Sequence, residues 1–195
     1  MKHNALPTFR FPVGTRIASA QPPVHGAVAM DSPALQVMTD LAEVRAATVH
    51  PQTSLAQAEL KMIHQGVRLL FVVSDMPGVD GIVSAGDLQG DKPMRLVHQR
   101  HVKYRDLSVA DVMEPLSGLD AIEFASLRRA TVGQIVATLS QYGRPHLLVL
   151  EAASSAHPAR IRGLISQTQV QRQLGIPLHT TAIASTFAEI EQALA

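Results

Sequence analysis

Residues 48–88, TVHPQTSLAQAELKMIHQGVRLLFVVSDMPGVDGIVSAGDL, decide the fold, because the same unit returns at residues 126–170 as SLRRATVGQIVATLSQYGRPHLLVLEAASSAHPARIRGLISQTQV. Ser54 aligns with Thr131, Gln57 with Gln134, Met62 with Leu139, Gly66 with Gly143 and Val72 with Val149, every pair 77 positions apart. Past the next strand the spacing becomes 82, pairing Gly81 with Gly163 and Ser84 with Ser166. The extra residues fall around AASSAHPA, which reads as a longer hairpin loop. An insertion confined to a loop, with register kept on both flanks, is what a structural repeat tolerates.

Each copy follows one physical logic. Ser54 with Gln57, and Thr131 with Gln134, have the spacing of a capping box, in which a hydroxyl and an amide satisfy orphan N–H groups at a helix start. Apolar residues then recur at helical spacing: Leu55, Ala58 and Met62 in one copy, Val132, Ile135, Val136 and Leu139 in the other. Gly66 and Gly143 stand where a helix end takes a left-handed residue. The short apolar runs 69–73 and 146–150 follow, too short for helices and bounded by turn residues, and they read as buried strands. Asp75 to Gly78 is a turn signal before a second strand, 80–84. A short helix closes each copy, the second running to Gly175 with Pro177 beyond. One β-α-β-β-α unit leaves a sheet face uncovered, so two should pack on each other. The expected class is α+β, with two tandem units packed about a pseudo-twofold axis into one module.

Composition narrows the function. The chain has 195 residues, 46% of them hydrophobic and 17% charged, which suits a globular body. Aromatic residues make up 4%, with no Trp, so the stacking surface of a single-strand nucleic-acid binder is missing. Lys and Arg number 17 against 16 Asp and Glu, a balance that calls for no polyanionic partner. The absence of Cys removes disulfides and thiolate zinc sites and fits a cytoplasmic setting. No apolar run reaches bilayer length, and Pro7, Arg10, Pro12 and Arg16 interrupt any secretory core, so no membrane partner is expected.

The ordered set, found twice, resembles the CBS domain, named after cystathionine β-synthase: a capped helix, a Gly, a short apolar strand, a hairpin, then Gly, two hydrophobic residues, Ser or Thr, and Asp three positions later. The segments Leu35 to Thr39 and Val109 to Glu114 are similar to the "DVM" lead-in of such repeats. The resemblance covers residues 32–175. It implies a Bateman module, commonly a homodimer, which binds AMP, ADP, ATP or S-adenosylmethionine between paired repeats and regulates a separate effector protein. It implies no catalytic residue, no required cofactor, no metal and no nucleic acid. About 30 residues precede the repeats and about 20 follow, so a stand-alone sensor is expected. The reading divides the chain into an arm (1–31), a first repeat (32–90), a connecting segment (91–106), a second repeat (107–175) and a C-terminal helix (176–195). A ligand-independent dimerisation scaffold with empty clefts is the alternative.

Asp87 sits near a helix start and offers a carboxylate to both ribose hydroxyls, as acidic residues do in other nucleotide folds. Ser84 offers a hydroxyl to a ribose or phosphate oxygen; both residues are also ordinary helix caps. Arg68, just before the first inner strand, suits two-point phosphate binding, or a solvated loop end. His146 holds a neighbouring place in the second copy, two residues after Arg144. Thr53 is a ligand contact or a cap, capping being favoured. Val67, Leu69 and Ile82 are candidate walls for a base, and candidate core residues too. In the second copy Ser166 is kept but Gln169 replaces the Asp, removing the diol-binding carboxylate, so one competent site per chain is expected.

Three features are assigned elsewhere. The basic stretch 95–105 reads as a solvated helix face, and His98 and His101 have helical spacing without a carboxylate-rich partner segment. Thr186 and Glu189, with Phe187, Ile190 and Leu194 on one face, predict the C-terminal helix. No phosphate-binding loop, nucleophile elbow or zinc-protease signature occurs.

Overall fold

A computed structural model describes Arg10, Pro12 and residues 26–178. Most of the expected arm, and the expected helix at 185–194, lie outside the described residues. In chain order the elements are β1 (Met38–Asp40), β2 (Thr48–Val49), α1 (Leu55–Gln65), β3 (Leu69–Val72), β4 (Gly81–Ser84), α2 (Ala85–Gln89) and α3 (Asp91–Arg100). They continue with α4 (Val109–Val112), β5 (Glu114–Pro115), β6 (Ala121–Glu123), α5 (Phe124–Leu127), α6 (Val132–Tyr142), β7 (His146–Glu151), β8 (Arg160–Ser166) and α7 (Gln167–Leu174). The α+β class and the doubled β-α-β-β-α unit are what the repeat predicts.

The local signals act as their chemistry requires, with one difference. The Thr131 hydroxyl accepts from the Gln134 N–H at 3.4 Å, and the Thr131 N–H donates to Gln134 Oε1 at 2.9 Å, completing the box at α6. At α1 only half forms: Ser54 Oγ accepts from the Gln57 N–H, while the Gln57 side-chain oxygen turns to the Ser54 hydroxyl at 3.1 Å. Gly66 and Gly143 adopt φ of +65° and +61°, and at Gly66 the following N–H of Val67 reaches back to the Met62 carbonyl, closing the helix end. The basic stretch overlaps the second half of α3, whose Arg100 pairs with Asp111; Lys92, in the first turn of that helix, donates to the Val112 carbonyl.

Two four-stranded sheets result, with orders β2-β3-β4-β5 and β1-β8-β7-β6. Neither belongs to one copy alone. The strand before the first copy, β1, pairs with β8 of the second, Thr39 opposite Leu164; the strand before the second copy, β5, pairs with β4 of the first, Glu114 opposite Ile82. Ile82 and Leu164 are repeat equivalents, so Thr39 and Glu114 are equivalents too, and the lead-ins are exchanged reciprocally. Burial drives the exchange: Val37 and Met38 enter the core of the second copy beside Val132 and Ile135, while Val109 and Val112 enter that of the first beside Leu70 and Val83.

The exchange explains the shared glycine. A Cβ on Gly81 would meet the Glu114 carbonyl oxygen at 2.2 Å, and one on Gly163 would meet Met38 Sδ at 2.5 Å and the Thr39 carbonyl at 3.0 Å. Close passage of the exchanged strand, not backbone conformation, requires Gly at both places. On β1 the contact is clamped by Arg162, whose Nε and Nη2 lie 2.8 and 2.6 Å from the two Asp40 carboxylate oxygens. Nη1 of Arg162 lies 3.6 Å from Glu151, and the guanidinium sits 4.9 Å from the Phe124 ring centre.

The strands of the first copy are buried on both faces. Leu70, Val72 and Val83 point to α1, whereas Leu69, Phe71 and Ile82 meet Leu148 of the second sheet in a third core between the copies. This sheet-to-sheet contact is the pseudo-twofold interface, and the candidate site lies at its fringe.

Candidate ligand cleft

β4 delivers Ser84 to the N-terminus of α2, where a complete capping box forms. Asp87 Oδ2 accepts from the Ser84 N–H at 2.8 Å and from the Ser84 hydroxyl at 2.6 Å, and Ser84 Oγ accepts from the Asp87 N–H at 3.3 Å. Capping is therefore realised, but it engages one carboxylate oxygen. Oδ1 of Asp87 accepts no hydrogen bond among the described residues. In the analogous box at α4, Asp111 binds Ser108 through Oδ2 and gives its Oδ1 to Arg100, so no acceptor is left over there.

His146, at the start of β7 in the second copy, faces this box. Burial pushes its imidazole down to about 4, while the Asp87 carboxylate pulls it upward and the Arg68 guanidinium adds to the depression. Asp87 and Arg68 of one copy and His146 of the other thus share one electrostatic neighbourhood, with the imidazole neutral near pH 7. Arg68 is exposed; its carbonyl accepts from the Ala85 N–H at 2.9 Å, and its guanidinium has no partner among the described residues. Beside it a cavity of about 220 Å³ opens between Met62 and Ile63 of α1 and Ala85 and Leu88 of α2, with Val67 in its wall.

Two further residues join the cleft that sequence reading did not assign to it. Arg144 pairs with Glu114 of β5 and donates to the Gly118 carbonyl at 3.2 Å. Glu114 reaches this place because β5 crosses to the first sheet, a displacement that no local pattern announces. The available signal was the alignment of the two lead-ins, which sets Glu114 opposite Thr39.

The other predicted residues are dispersed. Leu69 and Ile82 are closed into the inter-sheet core, while Val67 is half-buried at the cavity. Thr53 lies at the far end of the sheet: β2 ends beside Val72, whereas Ser84 sits opposite Leu69, and the Thr53 carbonyl accepts from the Val109 N–H at 2.8 Å. The α1 cap is its neighbour Ser54. Ser166, opposite His146, belongs to the pseudo-equivalent second cleft and makes no side-chain cap bond.

That second cleft differs in charge. The equivalents of Asp87, Glu114, Arg144, His146 and Arg68 are Gln169, Thr39, Val67, Leu69 and Pro145, none of them ionisable. The Thr39 hydroxyl donates to Gln169 Oε1 at 3.5 Å, and Gln169 Nε2 is buried without a partner. Among the described residues no three His, Asp or Glu side chains are grouped to hold a metal ion, and no helix is long and apolar enough to cross a membrane.

A family model, that of the CBS domain, matches residues 34–90. No curated protein matches the chain in sequence. Among solved structures, an uncharacterized conserved protein from Pyrococcus horikoshii aligns with a TM-score of 0.53 at 20% identity, over 79% of this chain and 100% of that one. The CBS-domain containing protein ATU1752 from Agrobacterium tumefaciens aligns with a TM-score of 0.52 at 18% identity, over 74% of this chain and 94% of that one. At such identities the likeness establishes the fold.

Proposed function

We propose, from the premise that this chain is a CBS-domain-pair protein, that it binds one adenosine-containing nucleotide in its first cleft and thereby regulates a separate effector protein. The observation that carries the reading is the convergence of Asp87, Arg68 and His146 from opposite copies, with one Asp87 oxygen unspent on capping. Oδ1 of Asp87 accepts from a ribose hydroxyl, Ser84 donates to a neighbouring oxygen, and Arg68 binds phosphate. Neutral His146 hydrogen-bonds the base. A ligand seated there touches both copies, so it biases their relative packing and hence an effector's docking surface. AMP, ADP, ATP and S-adenosylmethionine are the candidate ligands, the setting is the cytoplasm, and the working assembly is a homodimer. The uncharged second cleft, with Gln169 for Asp, binds more weakly or stays empty.

The uncharged cleft also favours the second reading, a dimerisation scaffold in which neither cleft is filled. A thermal-shift screen against AMP, ADP, ATP, S-adenosylmethionine, NAD and a guanosine nucleotide separates the two. A ligand at about 100 times its dissociation constant adds about 2.7 kcal/mol to the native state, a shift of several degrees. The expected result is a shift with one adenosine ligand that disappears in Asp87→Asn, a substitution that keeps a capping side chain. No shift with any of them at millimolar concentration rejects the sensor in favour of the scaffold.

A further inference from the structure

Leu60 and Ile63 stand one turn apart on the outer face of α1, 54% and 66% exposed. Ile63 also lines the cavity of about 220 Å³ between α1 and α2, together with Met62 and Leu88. Single aliphatic residues at a surface need no explanation, but a pair beside an open apolar groove forms a patch.

The repeat provides an internal comparison. The second copy has Ala137 and Ser140 where the first has Leu60 and Ile63. Its groove is closed as well. Gln167 and Gln171, the equivalents of Ala85 and Gln89 in the cavity wall, donate to the Leu178 carbonyl at 3.1 and 2.8 Å, and Leu178 packs on the second core. Near the start of α6 the Met30 carbonyl accepts from the Gly133 N–H at 2.8 Å. The second copy thus lays its own chain along its helices, whereas no described residue covers Leu60 and Ile63. The bulky pair is therefore no requirement of the repeat, and burying it removes far more apolar area from water than burying Ala and Ser.

We infer that two chains pair through the first copy alone, α1 against α1 in antiparallel array about a twofold axis, with the α6 face left outside the contact. This pairing sets Leu60 of one chain against the partner's Ile63, so the apolar patch covers itself and both grooves close. It also sets Glu59 against the partner's His64, a carboxylate against an imidazole. Oε1 of Glu59 accepts from the Gln89 amide at 2.8 Å, which leaves Oε2 for that contact. A parallel pairing would set Glu59 against Glu59 and Lys61 against Lys61, which like charge disfavours. Such self-complementarity is what a twofold contact demands, and it points to a second copy as the occupant. The inference rests on the homodimer of the proposed function and adds its face and its direction.

Sedimentation velocity of the full chain from about 0.1 to 100 µM reads the assembly. The expected result is a dimer whose dissociation constant rises about thirty-fold or more in Leu60→Glu and in Ile63→Glu, and stays within about two-fold in Ala137→Glu. Because the chain has no Cys, Leu60→Cys and Ile63→Cys chains can be mixed and oxidised without a charge entering the contact. The expected product is the disulfide that joins position 60 of one chain to position 63 of the other. A monomer at about 100 µM would overturn this inference and the homodimer together. A dimer that both glutamate substitutions leave intact would overturn this inference alone, as would one that Ala137→Glu dissociates just as strongly. Disulfides that join like positions in preference to unlike ones would overturn the antiparallel direction.

Discussion

Replacing Gly81 with Ala tests the strand exchange at its tightest point. The new Cβ would stand 2.2 Å from the Glu114 carbonyl oxygen and 3.0 Å from Pro115 Cα, both backbone atoms of β5. Ordinary carbon–oxygen contact requires β5 to retreat by about 1 Å. A strand of two residues cannot yield that much and keep both register pairs, Gly81 with Pro115 and Ile82 with Glu114. The cost is overpacking plus up to two ladder hydrogen bonds, about 2 to 4 kcal/mol. For a chain of this size that lowers the melting temperature by about 5 to 15 °C. Gly163→Ala is the matched control. There the nearest atoms are Sδ and Cγ of Met38, a side chain that can swing aside, and the backbone oxygen of Thr39 is 3.0 Å away. Its cost should be about 1 to 2 kcal/mol, visibly the milder of the pair. Thermal and urea melts followed by circular dichroism measure both. If Gly81→Ala melts within a degree of the unaltered protein, or if Gly163→Ala proves the more damaging, the close passage of β5 is not what demands glycine at position 81.

Two predictions concern pH and charge. An unfolded His takes up a proton below about 6.5, while half-buried His146 refuses it until about pH 4, so the native state loses stability as pH falls through that window. His146→Leu, the residue found at the equivalent position 69, should flatten the pH dependence there by about 2 to 3 kcal/mol; melts at several pH values between 4 and 7 that fall as steeply as before would refute it. Arg162→Ala should cost about 2 kcal/mol at pH 7, because the largely shielded Asp40 carboxylate loses its two-point partner. The Arg162 hydrogen bond holds the Asp40 carboxyl below its usual 3.8, so that stabilisation exists above this value and fades as pH drops beneath it. The gap between mutant and unaltered protein in urea midpoints should therefore narrow between pH 7 and pH 3, and an unchanged gap would assign the loss to packing on Phe124.

How much of this was legible in the sequence follows from the length over which each signal acts. The helices and inner strands were, since each copy carries its own cap, apolar spacing and left-handed glycine, and the two copies check each other through constant offsets. The partners of β1 and β5 were not. Strands of three and two residues have no usable alternation, and their pairing is decided by where Val37 and Val112 find a core. Asp87 and Ser84 were marked by their local pattern, and their capping role is local too. The meeting of Asp87 with His146, and of Glu114 with Arg144, depends on the pseudo-twofold contact and the crossed lead-ins, which lie beyond any window of sequence.

Because each body wears the lead-in of the other, the covalent link between them is dispensable to the architecture in a way that few domain linkers are. A chain cut between α3 and α4 would give two fragments, each holding one body and the strand that completes the opposite body. Such halves should recombine spontaneously, as in fragment complementation, and neither half alone could close its own sheet with its own lead-in. Either half could instead pair with itself, since Thr39 and Glu114 occupy the same register position. In that sense the molecule is a tethered dimer of half-length chains. Joining the halves lets the two clefts differ, Asp87 in one and Gln169 in the other, which an untethered pair of identical halves could never do.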